Sequence, residues 1–99
     1  MQIARVIGTV VATCKDAELE GLKMLLLQAA SPSGDAEGSY VVAADSVGAG
    51  LGDVVLYASG SSARQTTQTK DRPVDAVVMA IIDMIDEGGA SRYRKLEDN

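Results

Sequence analysis

The chain has 99 residues, a formal charge of −5, 46% apolar residues, one cysteine and no histidine. One cysteine cannot close an internal disulfide, and without histidine neither a zinc site of the usual donor set nor a Ser-His-Asp triad can be built. The acidic balance argues against a phosphate backbone as partner, and no apolar run reaches the ~20 residues of a membrane-spanning helix.

The length fits one domain, 1–99, since domains commonly run to roughly 100–150 residues. With three Tyr and no Phe or Trp, the core must be assembled from Val, Ile, Leu, Met and Ala. The N-terminal MQIARVIG lacks the basic and long apolar regions of a signal peptide. Together with the single Cys14, this predicts a soluble protein of a reducing compartment.

In chain order, QIARVIGTVVATCK reads as a strand, with Ala4, Val6, Gly8, Val10 and Ala12 on one face. Gly8 in its middle predicts a bend or a close backbone approach. DAELEG leads to a second strand in GLKMLLLQAA. SPSGDAEGS is dense in turn residues, and SYVVAAD is the third strand. VGAGLG is the next turn and DVVLYAS the fourth strand. GSSARQTTQTKDR is a long polar loop with more basic than acidic residues.

The segment PVDAVVMAIIDMID fits both a helical stripe and strand alternation, and periodicity alone does not separate them. Its β-branched content favours a short turn at 73–76 followed by a strand from about Val77 to Asp86. The remainder, about 87–99, reads as a polar tail leaving the barrel.

Five short strands separated by turns predict a mainly β fold, a small five-stranded OB-like barrel with a short helical element. MLLL, YVVAA, DVVLY and VVMAII are apolar on both faces, yet a small barrel has only one inside. The outward apolar faces therefore predict association with another copy of the chain.

No chemical motif is complete. Gly48, Gly50 and Gly52 depart from the dinucleotide spacing, which needs a third glycine where Asp53 stands and a helix where a strand follows. Ser59, Ser61 and Ser62 have no histidine, and nothing places Lys15, Lys23, Lys70 or Lys95 beside them. Asp16, Glu18 and Glu20, and later Asp83, Asp86 and Glu87, lack a calcium-loop pattern and read as solvated charge. No enzyme activity, metal or cofactor is predicted. The alternative reading is an OB-like binding module for single-stranded nucleic acid or a small ligand, for which only Tyr40, Tyr57 and Tyr93 offer stacking surfaces.

Three separated blocks, MQIARVIGTVVAT, VGAGLGDVVLYASGSSAR and DRPVDAVVMAIID, resemble in order and spacing the pentameric vertex proteins of bacterial microcompartments. That group includes the carboxysome and ethanolamine-utilisation vertex proteins, and the resemblance spans Met1 to about Asp86. It implies a non-catalytic shell protein, a homopentamer partnered by hexameric shell proteins and located in the bacterial cytoplasm. No nucleic acid, membrane or cofactor is implied. Carried over residue by residue, it implies that Gly60, Ser61 and Ser62 line a narrow opening on the fivefold axis. It further implies that Arg64, Arg72, Pro73, Asp75 and Val78 lie at the subunit boundary.

Overall fold

Alternation in the strands decides which side chains turn inward. The computed structural model describes residues 1–12, 23–60 and 75–98. Within them β1 runs Gln2–Val10, β2 Met24–Ala30, β3 Ala36–Asp45, β4 Val54–Ser59 and β5 Ala76–Ile81. These five close into a barrel in the order β1-β2-β3-β5-β4, with β4 returning to β1. Neighbouring strands are antiparallel except β3 and β5, which run parallel at Ala44–Val77 and Asp45–Val78. This order, with a parallel crossover from β3 to β5, is that of the expected OB-like barrel.

The interior is filled by Ala4, Val6, Leu25, Leu27, Ala43, Val55, Tyr57, Ala76 and Val78. Ala49, from the loop between β3 and β4, joins them and closes one end. Small and branched side chains fit because a five-stranded barrel leaves little room inside. Across the sheet, Ala44, Ala58 and Val77 form a second buried cluster with Met24 and Met79 packed against it. The bend expected at Gly8 is a β-bulge: the β1–β2 register shifts between Val6 and Gly8.

Three features differ from expectation. β1 ends at Val10 rather than continuing through ATCK, of which 13–15 lie outside the described residues. The strand expected from about Val77 to Asp86 is broken. β5 stops at Ile81, the amide of Ile82 donates to the Val54 carbonyl, and a new strand, β6, starts at Met84.

The third difference is the C-terminal segment. Instead of a tail leaving the barrel, β6 (Met84–Glu87) and β7 (Ala90–Arg94) form a hairpin, followed by a four-residue helix, α1 (Lys95–Asp98). Gly88 and Gly89 join the strands with φ of 59° and 84°. Two successive positive φ values make the tight turn that matches strand twist, and glycine takes them without a Cβ penalty. Tyr93, 1% exposed, anchors the hairpin. A Cβ on Gly34 would come within 2.9 Å of its ring, and the Arg5 guanidinium lies 5.9 Å from the ring centroid. The helical element is thus α1. At the expected position Asp75 is in a bend and Ala76 already in β5, while 73 and 74 lie outside the described residues.

Candidate functional site

The glycine-rich loop 46–53 is held by the chain's own carboxylates. Asp45 Oδ1 accepts the amides of Val47, Gly48 and Ala49 at 3.1, 3.2 and 3.2 Å. Asp53 Oδ2 accepts the Gly50 amide at 2.8 Å. Lys23 donates to the Ala49 carbonyl at 2.9 Å and stands 3.7 Å from Asp45, whose side chain is 3% exposed. Arg5 donates to the carbonyls of Gly52 and Gly34 at 2.7 and 2.8 Å. A phosphate needs free backbone amides, and here side-chain carboxylates occupy them. The loop is a cap for the barrel.

Nor do the described residues offer a catalytic or metal centre. No group of three His, Cys, Asp or Glu among them could hold a metal ion. Ser46 donates to the Val78 carbonyl, and Ser31, Ser33 and Asp35 bond among themselves within the β2–β3 turn. Lys95 lies 3.5 Å from Asp53 and Arg92 pairs with Glu87, so with Arg5 and Lys23 these cations are already engaged within the chain. Tyr57 and Tyr93 are buried, leaving Tyr40 as the exposed aromatic. A stacking groove lined by cations, which single-stranded nucleic acid requires, has no counterpart among these residues. No helix of the described residues is long and apolar enough to cross a membrane.

What the barrel does build is a pinched base for the loop after β4. Ser59 registers with Ala76, and the Gly60 amide donates to the Asp75 carbonyl at 2.9 Å. Gly60 takes a positive φ of 65° there, and Asp75 is exposed. The structure thus brings Gly60 and Asp75 together as the two ends of segment 61–74. Ser61, Ser62, Arg64, Arg72 and Pro73 belong to that segment and lie outside the described residues.

Val78 requires a correction. It has no exposed surface, registers with Tyr57 and belongs to the barrel interior. Its side chain packs its own barrel and has no surface to offer a neighbour.

Sequence reasoning missed a shallow groove of about 530 Å³ lined by Asp83, Met84, Arg94, Lys95 and Leu96. Met84 is 50% and Leu96 97% exposed. The signal for it lay in Met84, near the end of the apolar segment, and in Leu96, within the polar ending.

Residues 1–83 match the family described as ethanolamine utilisation protein EutN/carboxysome. The chain belongs to this family. It is 47% identical over 98 residues to the carboxysome shell vertex protein CcmL of Synechocystis sp., covering 99% of this chain and 98% of that one. The solved structure of Gloeobacter violaceus CcmL superposes with a TM-score of 0.91 at 48% identity, covering 97% and 99% of the two chains. GrpN from Rhodospirillum rubrum, a pentameric microcompartment shell protein, superposes with a TM-score of 0.79 at 39% identity over 88% of this chain and 99% of its own. Membership in the EutN/CcmL family accounts for the barrel order and for the alignment of all three sequence blocks.

Proposed function

We propose that this chain is a structural subunit of a bacterial microcompartment shell, acting as a homopentamer at the vertices. The observation that carries this reading is the closed barrel, shared over nearly the whole chain with vertex proteins of the family and with a pentameric member. The role follows from geometry. Hexagonal tiles alone make a flat sheet, and a closed polyhedron needs twelve fivefold corners. A protein that fills them has no substrate to turn over, which accords with a glycine-rich loop whose amides are taken by Asp45 and Asp53. Its neighbours are the hexameric shell proteins of the facets, and its place is the shell within the bacterial cytoplasm.

Within that ring, the loop that begins at Gly60 approaches the fivefold axis, with Ser61 and Ser62 lining the opening. Small residues there let five backbones converge. Arg64, Arg72, Pro73 and Asp75 lie at the boundary between subunits. The hydrogen bond between Gly60 and Asp75 supports this, because it sets the two flanks of the segment side by side at one point of the barrel.

The test is native mass together with shell shape. A mass five times that of the 10.3 kDa chain is expected in solution. Cells lacking the protein are expected to form elongated or open shells. A monomeric mass, or intact polyhedral shells without the protein, refutes the reading.

A further inference from the structure

The C-terminal hairpin is joined to the barrel without being part of it. Among the described residues β6 and β7 make a sheet of their own, with no barrel strand paired to either. The family match ends at residue 83, just before them. A two-stranded hairpin standing alone is marginal in water, so this one owes its order to what it touches on the barrel. That contact is narrow. Of residues 84–96, Tyr93 alone is buried, Ile85 and Lys95 are half-buried and the rest are exposed. Tyr93 belongs to neither of the two core clusters.

The slot that receives Tyr93 fits its ring closely. Gly34, with φ 86°, leaves the space open: a Cβ there would lie 2.9 Å from both Tyr93 Cδ1 and Arg5 Nη2. The Arg5 guanidinium forms the other wall, and it donates to the Gly34 and Gly52 carbonyls of the barrel. A weaker second hold is Lys95, 3.5 Å from Asp53 with both side chains partly exposed. Yet the seat is imperfect, because the Tyr93 hydroxyl is buried with no hydrogen-bond partner. A hydroxyl taken from water without a partner opposes its own burial, and undocking returns it to water. The same side chain therefore closes the hairpin with its ring and loosens it with its oxygen. At the barrel side, Ile82 and Asp83 lie in no strand, and a few residues at element ends are what a hinge uses.

We propose that the hairpin and α1 are a reversible latch, which undocks and unfolds as one unit from a barrel that stays closed. Ile82 and Asp83 are its hinge and Tyr93 its pin, and the unpaired hydroxyl sets how often it opens. Opening lays bare the slot between Arg5 and Gly34. It also lifts Lys95 from Asp53, at the base of the glycine loop.

Hydrogen exchange of the full chain, read residue by residue, tests this. Two barrel amides serve as the reference: Val6, which donates to the Asp53 carbonyl, and Ile82, which donates to the Val54 carbonyl. The amides of residues 93 and 95 are expected to exchange faster than these by more than about tenfold. Tyr93→Phe keeps the ring and removes the hydroxyl, and is expected to slow exchange at 93 and 95 by about fivefold with Val6 and Ile82 unchanged. Fraying of a chain end that owed nothing to the pin would not respond to that oxygen. Tyr93→Ala is expected to remove protection at 93 and 95 while both barrel amides keep theirs. A single common rate for all four wild-type amides overturns the latch. So does a Tyr93→Phe hairpin that exchanges as fast as the wild type or faster, or a Tyr93→Ala chain whose barrel amides lose protection too.

Discussion

Arg5 ties three separate parts of the chain, and replacing it with methionine tests how much that tie stabilises. Methionine keeps most of the apolar stem, so the loss falls on the guanidinium. That group donates to the Gly34 and Gly52 carbonyls at 2.8 and 2.7 Å and lies 5.9 Å from the Tyr93 ring centroid. Hydrogen bonds from a charged donor are worth about 1.5–3 kcal/mol each, and the half-buried setting places these two at the lower end. The ring contact adds about 0.5 kcal/mol. The whole comes to about 3.5 kcal/mol, or a melting temperature lower by about 14–28 °C for a domain of this size. Thermal unfolding should be followed at one fixed protein concentration, because assembly adds to apparent stability. Hydrogen exchange provides the local readout: the amides of Ile85 and Tyr93 are expected to speed up more than those of Leu25 and Val55. A loss below about 1 kcal/mol, or uniform acceleration of all four amides, refutes the view that Arg5 pins the hairpin.

Other substitutions probe the remaining contacts. Tyr93→Phe is expected to be neutral or stabilising by up to about 1 kcal/mol, because the buried hydroxyl has no hydrogen-bond partner and its removal ends a desolvation cost; a clear loss in chemical denaturation contradicts this. Asp45→Ala strips the acceptor from three amides, one of them on the fully buried Ala49, and is expected to cost about 2–3 kcal/mol with faster exchange across 47–49. Val78→Asp puts a charge in the barrel interior, a cost of several kcal/mol against a total of roughly 5–15. It is expected to yield insoluble protein, and a folded monomer from it would contradict the buried position.

Most of the barrel is legible in the sequence because each strand is a short β-branched run bounded by turn residues. The glycine loop is legible too: its spacing fails the dinucleotide pattern, and the structure shows Asp53, at the position that breaks it, accepting the Gly50 amide. The break after β5 is not legible. No glycine or proline marks Ile82 and Asp83; their conformation is set by distant partners, since Ile82 donates to Val54 and Asp83 accepts from the Lys95 amide. The hairpin had a signal in Gly88-Gly89, but its composition is polar and a single side chain, Tyr93, holds it down. Val78 was misplaced for a related reason. Val77 and Val78 are both fully buried, one in the outer cluster and one in the interior. Alternation therefore carries no contrast there, and only the register with Tyr57 tells the two faces apart.

The closing seam of the barrel has a consequence for how the protein is made. Ile3, Leu56 and Ala80 become neighbours only when β1, the first strand of the barrel, pairs with β4, and β4 with β5, its last strand. Contacts this far apart in the chain form late, after the entropy of long loops has been overcome. No nascent chain shorter than the whole barrel can display that row. A truncated or half-folded copy thus leaves the β5-facing edge of β4 unpaired and open to strands of other chains until the last strand of the barrel is in place.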